Sequence, residues 1–149
     1  MTLDKIRKFI LQKSPKSGQE ILDFIDKVKI LHFNYSTHYY KNGKFHREDG
    51  PAVEYTSGTK YWYLNGKLHR TDGPALECAN GDKEWWLNEK LHRTDGPAVE
   101  WASGTKMWYI NGKLHREDGP AVECANGTKY WYLNGIQLSK QEFNKRIKP

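Results

Sequence analysis

A 23-residue repeat dominates this sequence. The hexapeptide HREDGP at residues 46–51 recurs as HRTDGP at 69 and 92 and as HREDGP at 115, each copy 23 residues after the last. Four complete units begin at Asn42, Asn65, Asn88 and Asn111, and a partial fifth unit begins at Asn134. A repeat of this length predicts a stack of small, similar units, because each unit can bury its apolar surface only against its neighbours.

The same recurrence argues against an active site in HRxDGP, although a histidine, an arginine and an acid lie close together there. A nucleophile, a base and an orienting group form one unique cluster in an enzyme, and this motif occurs four times. HRxD also occurs in the catalytic loop of protein kinases, but no Gly-rich phosphate loop, strand lysine or DFG accompanies it. We therefore predict a protein that is not an enzyme and that has no cofactor.

A metal site on the repeated histidines is excluded by spacing. If each unit adds two strands, His46, His69, His92 and His115 recur about 10 Å apart, whereas ligands of one zinc ion lie within about 4 Å of each other. We expect these histidines to pack beside the tryptophans as polar members of a ladder.

Two turns define each unit. Asn-Gly between β-type runs favours a two-residue type I′ hairpin, which pairs Tyr63 with Leu68. Thr56-Ser57-Gly58 and its equivalents suit a three-residue loop with a left-handed glycine, which pairs Glu54 with Lys60. Opposite charges then face each other across every hairpin. Glu89 replaces the turn glycine in one unit, where positive φ costs of the order of 1 kcal/mol.

Strand alternation separates two faces of the predicted sheet. One face carries Trp62, Ala52, His69 and their nearly unvaried equivalents. On the other, which we call the variable face, Tyr55 becomes Cys78, Trp101 and Cys124, and Tyr61 becomes Glu84, Met107 and Tyr130. We expect protein recognition on the variable face, with packing alone, or stacking of nucleic-acid bases or a nucleotide on its aromatic row, as the alternatives. The candidate partner-binding residues are Tyr40, Tyr55, Tyr63, Trp86, Trp101, Tyr109 and Tyr132.

HRxDGP has a geometric role in this arrangement. Residues 67–72 pair backward and residues 73–78 pair forward, so a straight segment would displace each unit sideways by roughly 20 Å. A compact array needs a bend, which Asp can support by bonding backbone, Gly by unusual dihedrals and Pro by its fixed φ. The predicted corner residues, with each arginine available to nearby acids, are Arg47, Asp49, Arg70, Asp72, Arg93, Asp95, Arg116 and Asp118.

The NG turns, the tryptophans and the period resemble the MORN repeat, and most closely its divergent variants in bacteria, phages and large DNA viruses. W-Y-x-N-G-K-x-H and the later glycine correspond to the typical Y-x-G-x-W-x-x-G pattern, over residues 42–135. R-x-D-G-P-A stands where the family usually has G-x-G. The resemblance implies a non-catalytic interaction scaffold, sometimes in contact with phospholipid. Inhibiting or sequestering a host protein is one version of such a role.

We predict a mainly β protein, an antiparallel β-hairpin array forming a single-sheet solenoid. The array spans 35–137, an N-terminal helical segment spans 1–34, and a C-terminal capping helix spans 138–149. Capping-box patterns at Ser17-Gly18-Gln19-Glu20 and Ser139-Lys140-Gln141-Glu142 mark helix starts, and a first helix is predicted at about 3–13. These helices can cap the array or bind a partner.

Charge and cysteine use bear on partner and compartment. The net charge of +6 divides into +3 for 1–34, zero for 35–137 and +3 for 138–149. A neutral array favours a protein partner, while the basic termini leave nucleic acid, a nucleotide or an anionic membrane as the alternative. A homo-oligomer also stays open.

Cys78 and Cys124 lie too far apart for a disulfide, and no signal or membrane-spanning segment is evident, so we predict free thiols and a cytoplasmic location.

Overall fold

The computed structural model describes residues 28–147, which contain eighteen strands and one helix. The helices predicted before residue 28 lie outside this range. The strands are β1 (Val28–Phe33), β2 (Ser36–Lys41), β3 (Lys44–Phe45), β4 (Val53–Tyr55), β5 (Lys60–Tyr61), β6 (Tyr63–Leu64), β7 (Lys67–Leu68), β8 (Leu76–Glu77), β9 (Lys83–Glu84), β10 (Trp86–Leu87), β11 (Lys90–Leu91), β12 (Val99–Glu100), β13 (Lys106–Met107), β14 (Tyr109–Ile110), β15 (Lys113–Leu114), β16 (Val122–Glu123), β17 (Lys129–Leu133) and β18 (Ile136–Leu138). The helix is α1 (Lys140–Ile147).

A twelve-stranded antiparallel sheet runs through the array, which confirms the predicted fold class. Its strand order is β1-β2-β4-β5-β8-β9-β12-β13-β16-β17-β18, with β3 paired to β2. Three hairpins, β6–β7 and β14–β15 with Asn-Gly turns and β10–β11 with the Asn88-Glu89 turn, form two-stranded sheets beside it. Each unit therefore contributes two strands to the main sheet and one hairpin to a flanking row.

The sheet begins earlier in the chain than predicted. Strand β1 pairs with β2 from Val28 opposite Lys41 to Phe33 opposite Ser36. The assignment of residues 28–34 to a helical segment is therefore wrong. A short apolar run such as VKILHF cannot be distinguished as helix or strand by periodicity alone, and here an unpaired edge of β2 is available to it.

Both predicted turn types are present. The asparagines of the five two-residue turns have φ of 50–53°, and the residues that follow have φ of 65–84°, as a type I′ turn requires. The predicted pairing of Tyr63 with Leu68 is confirmed. In the three-residue turns the glycines are left-handed, with φ of 98° at Gly58, and the Tyr55 amide donates to the Thr59 carbonyl over 2.9 Å.

Successive hairpins are joined by backbone hydrogen bonds. The second residue of each turn donates to the preceding unit: Gly66 to the Phe45 carbonyl over 2.8 Å and Glu89 to the Leu68 carbonyl over 3.0 Å. At the opposite edge of the array, Thr59 Oγ1 accepts from the Ala79 amide over 3.1 Å. Each unit is thus fixed to the next at both edges.

The corner is organised by its arginine, as the Arg93 corner illustrates. Arg93 Nε donates to Asp95 Oδ1 over 2.9 Å, and Nη1 donates to the Pro97 carbonyl over 3.2 Å and to Glu100 Oε1 over 2.9 Å. Its Cζ lies 4.0 Å from the centroid of the Trp85 ring. Arg47, Arg70 and Arg116 make the same set of contacts, over Tyr39, Trp62 and Trp108 respectively. One planar cation therefore ties together a ring, two carboxylates and the bent backbone.

The corner glycines serve a different purpose from the one predicted. None of Gly50, Gly73, Gly96 and Gly119 has positive φ, so unusual dihedrals do not explain them. A Cβ on Gly96 would instead lie 2.9 Å from Arg93 Cζ, and the other three positions are similarly tight. Glycine is needed there because the guanidinium packs directly on the backbone.

The predicted pairing of opposite charges is correct in backbone register but wrong in its partner. Glu54 lies opposite Lys60, yet its carboxylate accepts from Arg47 Nη1 over 2.9 Å. The Glu–Arg contact recurs in all four units, at 2.9–3.1 Å. The side chain turns away from its cross-strand neighbour because the guanidinium offers a fixed donor beside an aromatic ring.

The corner histidines link neighbouring units. His46 Nδ1 accepts from the Asn65 amide over 3.1 Å, and His69, His92 and His115 bond to the next turn asparagine in the same way. Because an imidazole nitrogen accepts only when it carries no proton, this bond places the proton of a neutral His46 ring on Nε2, whereas Nδ1 of His69 and of His92 also lies 3.1 Å from the side-chain Oδ1 of the same asparagine. His46 Nε2 is 3.1 Å from Glu48 Oε1, which agrees with this tautomer.

The apolar core is shallow, and the predicted C-terminal helix packs at the end of the array. Ala52, Ala75, Ala98 and Ala121 are completely buried, but no large side chain within 28–147 is. Ser139 begins α1 through a capping box, its amide donating to Glu142 Oε2 over 2.9 Å and the Glu142 amide donating to Ser139 Oγ over 3.2 Å. Phe143 of this helix is 5% exposed.

Replacing Arg93 by lysine should lower the free energy of unfolding by about 1–3 kcal/mol. An ammonium group cannot stack flat on Trp85 while donating to Asp95, Pro97 and Glu100. Urea unfolding followed by tryptophan fluorescence measures the change. The same substitution at Arg146, which is exposed on α1, is the control, and equal losses in the two variants would contradict the role of the corner.

Acid should weaken the array through the corner aspartates. Hydrogen bonds from the arginines hold the pKa of Asp49, Asp72, Asp95 and Asp118 below the ordinary aspartate value. Since the folded pKa is depressed, this contribution is present above the unfolded value and is lost as pH falls through the folded one, below about pH 4. The urea concentration at the midpoint of unfolding should be measured at several values between pH 7 and pH 2. As the pH is lowered, this concentration should fall more steeply for the wild type than for a chain with all four aspartates changed to asparagine.

Substituting Glu89 by glycine should stabilise the chain by about 1 kcal/mol, because the φ of 65° at Glu89 is strained for any side chain. The reverse change, Gly112→Glu, should cost a similar amount. An added Cβ at Gly112 meets only Lys90, at 3.8 Å. The loss of stability in Gly112→Glu would therefore come from backbone strain and not from a steric clash. Thermal unfolding of the two variants should move in opposite directions, and movement in one direction would refute the strain.

Candidate interaction surface

The variable face is built on one continuous row of cross-strand partners. From β2 to β17 each member lies opposite the next, in the order His38, Val53, Tyr61, Leu76, Glu84, Val99, Met107, Val122 and Tyr130. We call this set the central row. It crosses nine strands, and Glu84 is its middle member.

Two further rows flank the central row on the same face. The outer row, beside the three-residue turns, consists of Tyr55, Cys78, Trp101 and Cys124. The hairpin row consists of Tyr40, Tyr63, Trp86, Tyr109 and Tyr132. All seven predicted partner-binding residues therefore lie on the variable face, two in the outer row and five in the hairpin row.

The first part of the face is joined ring to ring. The Phe45 ring lies 4.7 Å from Tyr40 and 5.3 Å from Tyr63, and Tyr61 lies 6.3 Å from Tyr63 and 6.2 Å from Tyr55. These spacings are typical of favourable aromatic pairs. Tyr40, Tyr55 and Tyr63 thus belong to one aromatic cluster.

The remaining candidates lie farther along the array and have non-aromatic neighbours. Trp86 Nε1 donates to Glu84 Oε2 over 2.8 Å, the Tyr109 hydroxyl is 4.0 Å from Met107 Sδ, and the Tyr132 hydroxyl donates to Gln137 Oε1 over 3.0 Å. Trp101 is the most exposed of the four. The structure does not gather the seven residues into one cluster but distributes them along the sheet.

The two aromatic residues of the outer row are more exposed than the hairpin row. Tyr55 and Trp101 are 42% and 43% exposed. The hairpin row is partly buried, and burial raises the pKa of Tyr63 and Tyr109. Tyr55 and Trp101 are thus better placed to contact another molecule than the hairpin row or the half-buried Cys78 and Cys124.

Several residues of this face were not among the predicted candidates. Tyr130 of the central row is 40% exposed, and β1 adds Leu31, opposite His38, and Phe33 at 43% and 55%. In the sequence Glu84 stands out only as a variation in the repeat. What distinguishes Glu84 is that it is the only Asp, Glu, Lys or Arg in the central row. That row can be traced only when the strand register between units is known.

The opposite face carries the corner motifs, and their polar groups are engaged with one another. Three open clefts of about 490, 460 and 610 Å³ lie between successive corners, lined by the arginine, aspartate, glycine and proline of each. The arginines are only 20–23% exposed and bind carboxylates, while the corner aspartates are 79–84% exposed. These clefts therefore present negative rather than positive groups to solvent.

Residues 28–147 give less support to a metal site, a disulfide or a membrane-spanning segment. Across residues 28–147, no three His, Cys, Asp or Glu side chains come together as metal ligands. Cys78 and Cys124 are free thiols, as predicted, and burial raises the pKa of Cys78. The described segment has no helix that is long and apolar enough to cross a membrane.

Comparison with protein-family models, with curated proteins and with solved structures finds no match to this chain.

Proposed function

We propose that this chain is a non-enzymatic repeat protein that binds another protein through its variable face. The observation that carries the proposal is the contrast between the two faces. Arginine, aspartate and glutamate of the repetitive face bond to one another in every unit and each corner histidine bonds to the next turn asparagine, whereas Tyr55, Trp101 and Tyr130 are 40–43% exposed and differ between units. Exposed aromatic side chains contribute much of the energy of protein interfaces.

Charge and cysteine chemistry agree with this role. Residues 35–137 have no net charge, so a nucleic acid would find no extended positive groove along the array. The partly buried thiols suit a reducing compartment, and we place the protein in the cytoplasm. The resemblance to MORN-like repeats of phages and large viruses suggests a host protein, inhibited or sequestered, as one form of the partner.

The second candidate is binding of nucleic acid or an anionic membrane through the basic termini. It is favoured by one observation, namely that residues 1–34 and 138–149 each carry a net charge of +3. The repeats would then act as a spacer. The two functions differ in salt dependence and in the residues on which they depend.

Affinity capture with the full chain as bait, at low and high salt and with nuclease treatment, distinguishes the two functions. We expect a specific protein complex that resists salt and nuclease. Trp101→Ala should weaken it by about 30-fold, because truncation of a central aromatic residue typically costs about 2 kcal/mol. Lys106→Ala, an exposed change on the opposite face, is the matched control.

The second candidate would instead be supported by binding that is unchanged in Trp101→Ala and decreases steeply with salt. The chain should then also bind purified nucleic acid or anionic vesicles. A complex weakened equally by both substitutions would place the contact elsewhere on the chain.

A further inference from the structure

Glu84 is a charged residue at the centre of an uncharged surface. The central, outer and hairpin rows contain no other Asp, Glu, Lys or Arg. The equivalent positions hold Tyr61, Met107 and Tyr130, and the cross-strand neighbours of Glu84 are Leu76 and Val99. A carboxylate in such surroundings loses part of its hydration without gaining packing.

Within residues 28–147 this carboxylate has a single partner, and that partner is neutral. Trp86 Nε1 donates to Glu84 Oε2 over 2.8 Å, and no lysine, arginine or histidine nitrogen of the same range lies within 4 Å. Because an ionised carboxylate can accept about four hydrogen bonds, most of its capacity remains free. The other glutamates of the strands, such as Glu77 and Glu100, bind corner arginines instead.

The surrounding side chains suit a cation. Tyr61 and Tyr109 are near enough to Glu84 that its negative charge adds to burial in raising the pKa of each phenol. Trp86 contacts the carboxylate directly, and Tyr61 and Tyr109 belong to the same rows of this face, so a bound cation would also meet ring faces, which attract positive charge. A neutral or anionic group placed here would leave the half-buried carboxylate without an opposite charge, which is unfavourable.

We propose that Glu84 anchors an arginine or lysine side chain of the partner protein on the variable face. This inference rests on the proposed function, and it specifies the chemistry of the contact. The cation supplies the opposite charge that residues 28–147 do not give this carboxylate, and the outer row adds Cys78 and Trp101 on one side of the pair. Because the other three units lack a carboxylate at this position, the anchor fixes which unit the partner engages.

Selection of a displayed library of random linear peptides on the full chain tests the inference and does not require the partner to be identified. The baits are the wild type, Glu84→Gln and Glu89→Gln. Glutamine keeps an acceptor for Trp86 and removes only the charge, while Glu89→Gln removes an equal charge from an exposed turn outside the three rows. Circular dichroism and thermal unfolding establish that all three are folded.

We expect the wild type and Glu89→Gln to enrich peptides with a fixed arginine or lysine, and Glu84→Gln to lose that preference. A synthesised peptide from the selection should bind Glu84→Gln about tenfold more weakly, and replacing its basic residue should abolish the difference between the two chains. In the wild type, binding should shift the indole Nε1–H resonance of Trp86.

Peptides that need Trp101 but carry no fixed basic residue, or that bind Glu84→Gln as tightly as the wild type, would overturn the anchor and leave the proposed function intact. Peptides whose binding is unaffected by both Glu84→Gln and Trp101→Ala would overturn both.

Discussion

The architecture depends on a guanidinium group lying flat on an aromatic ring, once in each unit. No large side chain in residues 28–147 is fully buried, so apolar burial in each unit is modest. The arginine compensates by joining the ring to two carboxylates and to a carbonyl of the bend. Such a group binds well only when its partners are already oriented, and the two hairpin turns of the unit provide that orientation.

This use of charge explains why one face is repetitive and the other is not. A change at Arg93 affects Trp85, Asp95 and Glu100 together, so each of these residues restricts the others. The side chains of the outer row make no comparable network, and they can change without disturbing the stack. A surface free to vary in this way can acquire specificity, which is the basis of the proposed interaction role.

Much of the fold follows from local sequence rules, and the exceptions are informative. Asn-Gly and the three-residue turns set the register correctly, and Ser139 with Glu142 marks the start of α1, because these signals operate over a few residues. The target of Glu54, the reason for Gly96 and the acceptor role of His46 were not predictable. Each depends on how far one unit is displaced from the next, which period and alternation leave undetermined. For the candidate surface, alternation was enough to place the seven aromatic residues on one face, but Glu84 became a site only when the cross-strand row was traced.

The histidine bonds give the stack a direction. Each of His46, His69, His92 and His115 accepts from the unit that follows it, so the relation between neighbours is head-to-tail and the two ends of the array are different surfaces. A head-to-tail contact with no closing rotation can in principle continue without limit. At the last aromatic ring of the series, Trp131, the first residue of α1, Lys140, places its Nζ 6.0 Å from the ring centroid, where the other rings have an arginine. The last unit therefore presents α1, and not another corner, to any unit that would extend the stack.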